Sequence, residues 1–318
     1  MEIRDIIFNE ELHRYTDSYD NVYTSTTTCI HEFEPKMDKE YWLKRKAIER
    51  NVTTDVIAKE WEDKTNSAIE NGKTIHDYLE TSINIVTNNI KNIINSQVRG
   101  NEFKMITIYD VLDDNNIGLV DTDKLLNSDL KNRFPIIYNR ILELSNNGYR
   151  FYAEICVYST YHLISGAIDL LAIKFNNDIP ESAIILDWKT NKEKIRFEAG
   201  YYIKDNLANY TGTWRPLPKA KLLYPLSHLP KSNGSIYGLQ LNTYAYLVEL
   251  AGLPVTYLEI FHIRTKEQIK IVELRDIEEE IEVVNIEIPN MRSDVQIMLA
   301  KHYVTNVKNK ATYQAKLL

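Results

Sequence analysis

Between residues 150 and 189 the apolar positions fall in short blocks separated by turn signals. The blocks are RFYAEICVYS (150–159), HLISGAIDLLAIKF (162–175) and ESAIILDWK (181–189), and they predict three β-strands. NNDIP between the second and third is a turn signal, and joints this short predict antiparallel neighbours. The pattern then lengthens. YGLQLNTYAYLVELAG (237–252) reads as a helix, with Gly252 as its C′ stop and Pro254 just beyond. VTYLEIFHI follows as a strand, and the intervening helix gives the chain the length to arrive parallel to an earlier one.

The flanks are less regular. Residues 1–28 read as short strands, with SYDNVY as a hairpin turn. Residues 38–84 read as helix, with Asp38 as a first cap. Residues 85–132, rich in Asn, Asp and Ile, predict helix plus an irregular insertion. ILELSNNGYR (141–150) predicts a helix end and a turn, and residues 190–235 a long loop. QIKIVEL (268–274) is expected to be a further strand, before acidic DIEEEIEV and a Lys-rich terminal helix. The expected fold class is mixed α/β. A central mixed sheet flanked by helices, in the order α-β-β-β-α-β, carries an N-terminal β/helical and a C-terminal helical extension. The expected segments are 1–64, 65–265 with insertions at 85–132 and 190–235, and 266–318, all in one compact domain.

Composition narrows the function classes. With 44% hydrophobic and 26% charged residues the chain is ordinary for a globular protein. No apolar run approaches the roughly 20 residues of a membrane helix, and the N-terminus lacks a signal-peptide core, so a cytoplasmic location is expected. Two cysteines, Cys29 and Cys156, cannot supply four thiolates, which excludes an iron–sulfur cluster held by this chain alone. The net charge of −7 is unevenly spread. From Trp188 to Lys231 nine Lys/Arg face three acids, which leaves the rest of the chain at −13. A local basic strip matters more to a polyanion than the total does.

Candidate chemistry centres on AIILDWKTNKEK (183–194). In a strand, Asp187 and Lys189 point to one face and Trp188 to the other. Asp169, in SGAIDLLAI, is a carboxylate among apolar residues, which is costly without a compensating cation or donors. A hairpin of the strands at 162–175 and 181–189 can bring Asp169 close to Asp187, and a hard divalent cation relieves their repulsion. His76 lies four residues after Gly72 on one helix face, where the small residue lets another element approach closely. Glu154 is an acid inside a strand-like run, and Gln240 and Tyr244 share a helix face.

The order is more specific than any one feature. Gly72–x3–His76, Glu154, Gly166–x2–Asp169, Asp187–x–Lys189–Thr190 and Gln240–x3–Tyr244 together resemble the RecB-type branch of the PD-(D/E)xK nuclease superfamily. The resemblance covers roughly residues 65 to 265. LHRYTDSYDNVYTSTTT, followed by FEPKMDKEYWLKRKA, is also similar to phage-encoded members. The resemblance implies a restriction-endonuclease-like core in which His76, Asp169, Asp187 and the main-chain carbonyl of Trp188 bind Mg²⁺ or Mn²⁺. Glu154 matches an acid that serves a second metal. Asp169, Asp187 and Lys189 are the implied catalytic residues, with Lys189 orienting or activating the attacking water and neutralising phosphate. Gln240 and Tyr244 brace the site and contact the nucleic-acid backbone.

Phosphodiester hydrolysis needs a nucleophile near neutral pH and charge stabilisation on the non-bridging oxygens. A metal and a neighbouring ammonium can supply these. The basic strip starts at Lys189 and runs through Lys192, Lys194 and Arg196, interleaved with Tyr201, Tyr202, Tyr210, Trp214 and Tyr224. Cations track phosphates and aromatic rings stack bases, so DNA is the expected partner. The expected activity is a metal-dependent deoxyribonuclease, an exonuclease of phage or mobile-element DNA replication, recombination or repair. It would work in the host cytoplasm, with a recombination or replication protein as a further partner. Two alternatives fit the same residues: a catalytically inactive nuclease-fold subunit that binds DNA, and a metal hydrolase of small phosphoesters.

Overall fold

The computed structural model of the chain describes residues 3–87, 97–99, 101–112, 118–205 and 209–308. It opens with three strands, β1 (Ile6–Asn9), β2 (Arg14–Asp17) and β3 (Val22–Ser25), paired antiparallel in sequence. Asp17 shapes the turn expected at SYDNVY: its Oδ1 accepts from Tyr19 N and Asn21 N at 2.9 and 3.0 Å. Ser25 caps α1 (Thr26–His31), and Asp38 caps α2 (Lys39–Arg50) by accepting from Tyr41 N. The helical stretch expected over 38–84 is two helices. Asn51 takes a left-handed conformation, and α3 (Thr54–Val86) restarts after Thr53. The segment boundary at 64/65 therefore falls inside α3.

The 85–132 stretch holds β4 (Gln97–Arg99), β5 (Glu102–Lys104), α4 (Ile108–Leu112), α5 (Thr122–Leu126) and α6 (Leu130–Arg133). Residues 88–96, 100 and 113–117 of the expected insertion lie outside the described residues. After α7 (Pro135–Asn146) come the three central strands, β6 (Tyr149–Ser159), β7 (Ile164–Asn176) and β8 (Ile179–Lys189). Asn177 and Asp178, both with positive φ, make the two-residue β7–β8 turn. The expected 190–235 loop contains a separate hairpin of β9 (Gly200–Lys204) and β10 (Tyr210–Pro216). Then follow α8 (Asn233–Leu250), β11 (Val255–Thr265), α9 (Lys266–Glu273), β12 (Ile281–Glu287), α10 (Arg292–His302) and a π-helical turn at Tyr303–Lys308.

Two expectations near the C-terminus are corrected. QIKIVEL is helix α9, not a strand: Thr265 and Gln268 form a reciprocal capping box, and Ile269 and Val272 bury at helical spacing. The strand lies in the acidic stretch instead, as β12 at the sheet edge. There Glu282 is neutralised by the buried Arg264 of β11. Charged edge strands resist unwanted pairing. The Lys-rich end beyond Lys308 lies outside the described residues.

Ten strands form one mixed sheet in the order β12-β11-β8-β7-β3-β2-β1-β5-β4, with β6 also paired to β7. β6, β7 and β8 are antiparallel neighbours, and β11 lies parallel to β8, as the crossover through α8 allows. Side chains alternate between two cores. Ala183 and Ile185 of β8 pack with α1, α8 and α10; Ile184, Leu186 and Trp188 pack with α3 and α7. The sheet is thus covered by helices on both faces. Among the described residues, no helix is long and apolar enough to cross a membrane.

Candidate active site

The sheet forks at β7. One edge of β7 pairs with β6 throughout, but the other pairs with β3 only at Ile164 and Ser165 and with β8 only from Leu170 onward. Between these contacts lies Gly166 to Asp169, the GxxD segment. At the same level both central strands slip in phase. Ile168 and Leu171 enter the α8 core while Leu170 enters the α3–α7 core; in β6, Tyr152 and then Ile155 both enter the α8 core. The slip falls on Asp169 and on Glu154, which the register sets opposite one another. Glu154 absorbs it with a φ of 53°, in the left-handed region that a glutamate rarely occupies. Such strain persists only where its surroundings hold it, and it gathers at functional sites.

Helix α3 passes over this point. His76 Nδ1 is 3.7 Å from Asp169 Oδ2, and ligand atoms of His76, Glu154 and Asp169 lie within 4.8 Å of one another. Asp77 and Glu80 of α3 line the same cleft, which encloses about 740 Å³. Burial, then Asp169, Glu80 and other acids, push the Glu154 carboxyl well above its ordinary range. Burial and then Asp77 and Asp169 raise Glu80, partly offset by His76. Asp77 and Glu80 are not among the residues expected from the sequence. HDYLE held the signal, since an acid four residues after a candidate ligand shares its helix face.

β8 supplies the other side. Trp188 is buried against Phe261, and its amide donates to Asp169 Oδ2 at 2.8 Å, tying β8 to the GxxD segment across the fork. Asp187 and Lys189 share the opposite face, as strand parity requires, with Lys189 Nζ 2.5 Å from Asp187 Oδ2. The approach is poorly directed: neither oxygen of Asp187, which is 1% exposed, receives a well-formed hydrogen bond. Burial and then Asp169 raise the Asp187 carboxyl from 3.8 to about 6, against the pull of Lys189. Burial pulls the Lys189 ammonium down, but Asp187 and Asp169 outweigh it and hold it above its ordinary value. Asp187 stands outside the tight group of His76, Glu154 and Asp169.

Two glycines admit the close approaches. A Cβ on Gly166 would lie 2.5 Å from Tyr244 Cε1, so the glycine seats Tyr244 against β7. A Cβ on Gly72 would lie 3.1 Å from Thr190 Oγ1, so α3 passes close over the end of β8. Gln240 Nε2 donates to Tyr244 Oη at 2.9 Å, and both residues line the cleft while largely buried.

A brace beyond Lys189 also escaped the sequence analysis. The Lys189 ammonium lies 5.0 Å from the Tyr237 ring centroid. Tyr237 Oη donates to Asn191 Oδ1 at 3.2 Å, and the Asn191 carbonyl accepts from His262 Nε2 at 2.7 Å. His262 sits opposite Lys189 on β11. Burial lowers its imidazole to about 4, so the neutral ring donates through Nε2. Tyr237 was signalled by its spacing of three from Gln240; His262 was placed only by strand register.

The basic strip differs from expectation. Lys194 pairs with Glu273 at 3.0 Å, and the Arg196 guanidinium lies 4.6 Å from the Trp214 ring. Tyr202, Tyr210 and Trp214 pack on one another within the hairpin. Tyr201 and Tyr224 remain exposed, as does Lys192, which shares the Tyr210 ring with Lys204. Burial and then Lys192 lower the Lys204 ammonium. Lys194 and Arg196 thus help to hold the hairpin in place, and Lys192, Lys204, Arg215 and Lys219 are exposed. Comparison with protein families, with curated proteins and with solved structures found no match.

Proposed function

We propose that this chain is a metal-dependent nuclease that hydrolyses DNA phosphodiester bonds, acting as an exonuclease in phage or mobile-element DNA replication, recombination or repair. The observation that carries this is the state of Asp187. Its two buried oxygens have Lys189 as their ion-pair partner, and they feel the charge of Asp169, which converges with His76 and Glu154 in the cleft. Lys189 is the one cation against Asp187, Asp169 and Glu154, and acids that outnumber the nearby cations favour a further, divalent one. The donor set of one imidazole and several carboxylates fits Mg²⁺ or Mn²⁺. His76, Asp169, Asp187 and the Trp188 carbonyl would hold one ion, and Glu154 would serve a second. A divalent cation bound there supplies Lewis acidity toward a phosphoryl oxygen and lowers the pKa of a water.

The side chains then divide the work. Lys189, held as a cation, stabilises charge on the phosphoryl oxygens rather than accepting a proton. Asp187 fixes it from one side and the Tyr237 ring from the other. Gln240 and Tyr244 shape the floor over Gly166, and the exposed Lys192 would meet the backbone. The order α3, β6, β7, β8, α8, β11, antiparallel through β8 and parallel at β11, agrees with a restriction-endonuclease-like core.

The test uses end-labelled linear and closed circular DNA with Mg²⁺, Mn²⁺ or EDTA. Loss of linear DNA alone, blocked by EDTA and by Lys189→Ala in a folded protein, is the expected result. Full activity in Lys189→Ala would overturn the proposal. A preference for nucleotides or simple phosphoesters over polymer would instead make the chain a small-phosphoester hydrolase.

A further inference from the structure

The N-terminal strands and β5 supply a further part of the cleft lining, and it is rich in aromatic rings. Phe8 of β1 pairs with Tyr15 of β2 and with Phe103 of β5, so three rings form a row across three strands. The Phe8 and Tyr15 rings are 4.6 Å apart, and His13 meets the Phe8 ring edge-on at 5.3 Å. His13 holds this place with a φ of 46° in the hairpin tip. Tyr15 belongs to a small buried core with Ile6, Tyr23, Met105, Cys156 and Tyr158. Phe8 and Phe103 are only half-buried and line the same cleft as His76, Glu154, Asp169 and Lys189. Lys73 of α3, one turn before His76, reaches Glu10 of the tip at 3.1 Å and straps the aromatic hairpin to the helix that carries the histidine.

Acids, a lysine and π-faces lining one cleft sort a nucleotide by its parts. A phosphate has no use for a phenyl ring, whereas every nucleobase has a face that stacks on one. We propose that the Phe8–Phe103 row is a nucleobase platform, on which the base next to the reacting phosphodiester stacks. This rests on the nuclease reading, because a phosphodiester at the acid cluster is what brings its base within reach. Stacking tolerates any base, so the platform grips the strand without reading sequence. A base held there has left its own stack, so the nucleotide entering the cleft is unpaired at that position.

The experiment walks 2-aminopurine along the first positions of an oligonucleotide, with Ca²⁺ as the added metal, using the full chain. Quenching confined to one or two adjacent positions is expected. Phe8→Leu keeps apolar volume, and Phe103→Leu alters the outer end of the row; each should relieve the quenching and weaken binding about tenfold. Thermal melts establish that each variant is folded. In a hydrolysis assay with Mg²⁺, an abasic residue at the quenched position should slow the wild type about tenfold and Phe8→Leu no further. Equal quenching at all positions, or quenching that persists in both folded variants, overturns the platform. So does an abasic penalty undiminished in Phe8→Leu. Localised quenching without hydrolysis under any metal would sink the nuclease reading and leave the platform standing.

Discussion

Around the β9–β10 hairpin several cations are engaged: Lys194 with Glu273, Arg196 with Trp214, and the buried Arg264 of β11 with Glu273 and Glu282. At the fork of the sheet the balance is reversed. Asp187 has one ill-directed cation for two buried oxygens, and Glu154, Asp169, Asp77 and Glu80 line the cleft with His76. Both regions are rich in charge, so composition alone ranks them together. A charge paired inside the protein holds architecture. A buried charge left short of partners costs stability and marks where a charge from outside belongs.

Substitutions in the two regions should therefore separate activity from stability. Asp169→Asn and Lys189→Ala are expected to lower Mg²⁺-dependent hydrolysis by about 10³-fold or more while the protein remains folded. Lys194→Ala and Arg196→Ala should lower the melting temperature by an amount equivalent to about 1 kcal/mol and leave kcat within a few-fold. Equal losses of kcat in both sets would erase the distinction.

The second test is acid. His262 is buried and neutral, with its imidazole lowered from 6.5 to about 4. Because the unfolded chain binds this proton more readily, its contribution to stability is complete above about pH 6.5 and is lost as pH falls toward 4. The loss amounts to about 3 kcal/mol. Urea unfolding at a series of pH values reads it directly. His262→Gln can still donate to Asn191 but has no proton to gain, so its stability should fall less over this window. An unchanged slope would show that other groups dominate acid unfolding.

The third concerns packing at the fork. Gly166→Ala places a Cβ against Tyr244, with Thr26 Oγ1 also at 3.1 Å, so neither side can yield easily. About 2 kcal/mol of destabilisation is expected, with a fall in hydrolysis, since the shift reaches Asp169. Gly72→Ala meets only the hydroxyl of Thr190, a side chain that can turn away, and should cost less. Thermal melts of the two variants rank them; a milder Gly166→Ala would mean that Tyr244 has room the packing does not suggest.

Much of the layout was legible in the sequence. The strands from 149 to 189 and the helix ending at Gly252 declare themselves through apolar blocks and stop signals, because their burial is set by neighbours along the chain. α9 was misread since IKIV alternates like a strand, and the Thr265–Gln268 capping box that decides it is a local signal that was passed over. The register that sets Glu154 opposite Asp169, and the aromatic row of Phe8 and Phe103, arise from pairing between distant strands. No local pattern encodes such contacts. The basic strip is the opposite case: its charges are visible in the sequence, but their partners Glu273 and Trp214 become visible only on folding.

The smallest expected effect lies at Tyr237, where the two regions meet. Its ring faces the Lys189 ammonium at the fork, and its hydroxyl holds Asn191 at the start of the basic segment. Tyr237→Phe keeps the ring and loses the hydrogen bond, at about 1 kcal/mol of stability and a few-fold in kcat. Tyr237→Leu loses the ring as well, and with it a further 0.5–2 kcal/mol, roughly, of support for the ammonium. The ring face favours the ammonium form, so its loss should also move the alkaline limb of the pH–rate profile downward in Tyr237→Leu but much less in Tyr237→Phe. A purely structural tyrosine would lower stability in both variants and leave that limb in place. If the two variants behave alike, the hydroxyl on Asn191 carries the whole effect, and Lys189 is positioned by Asp187 alone.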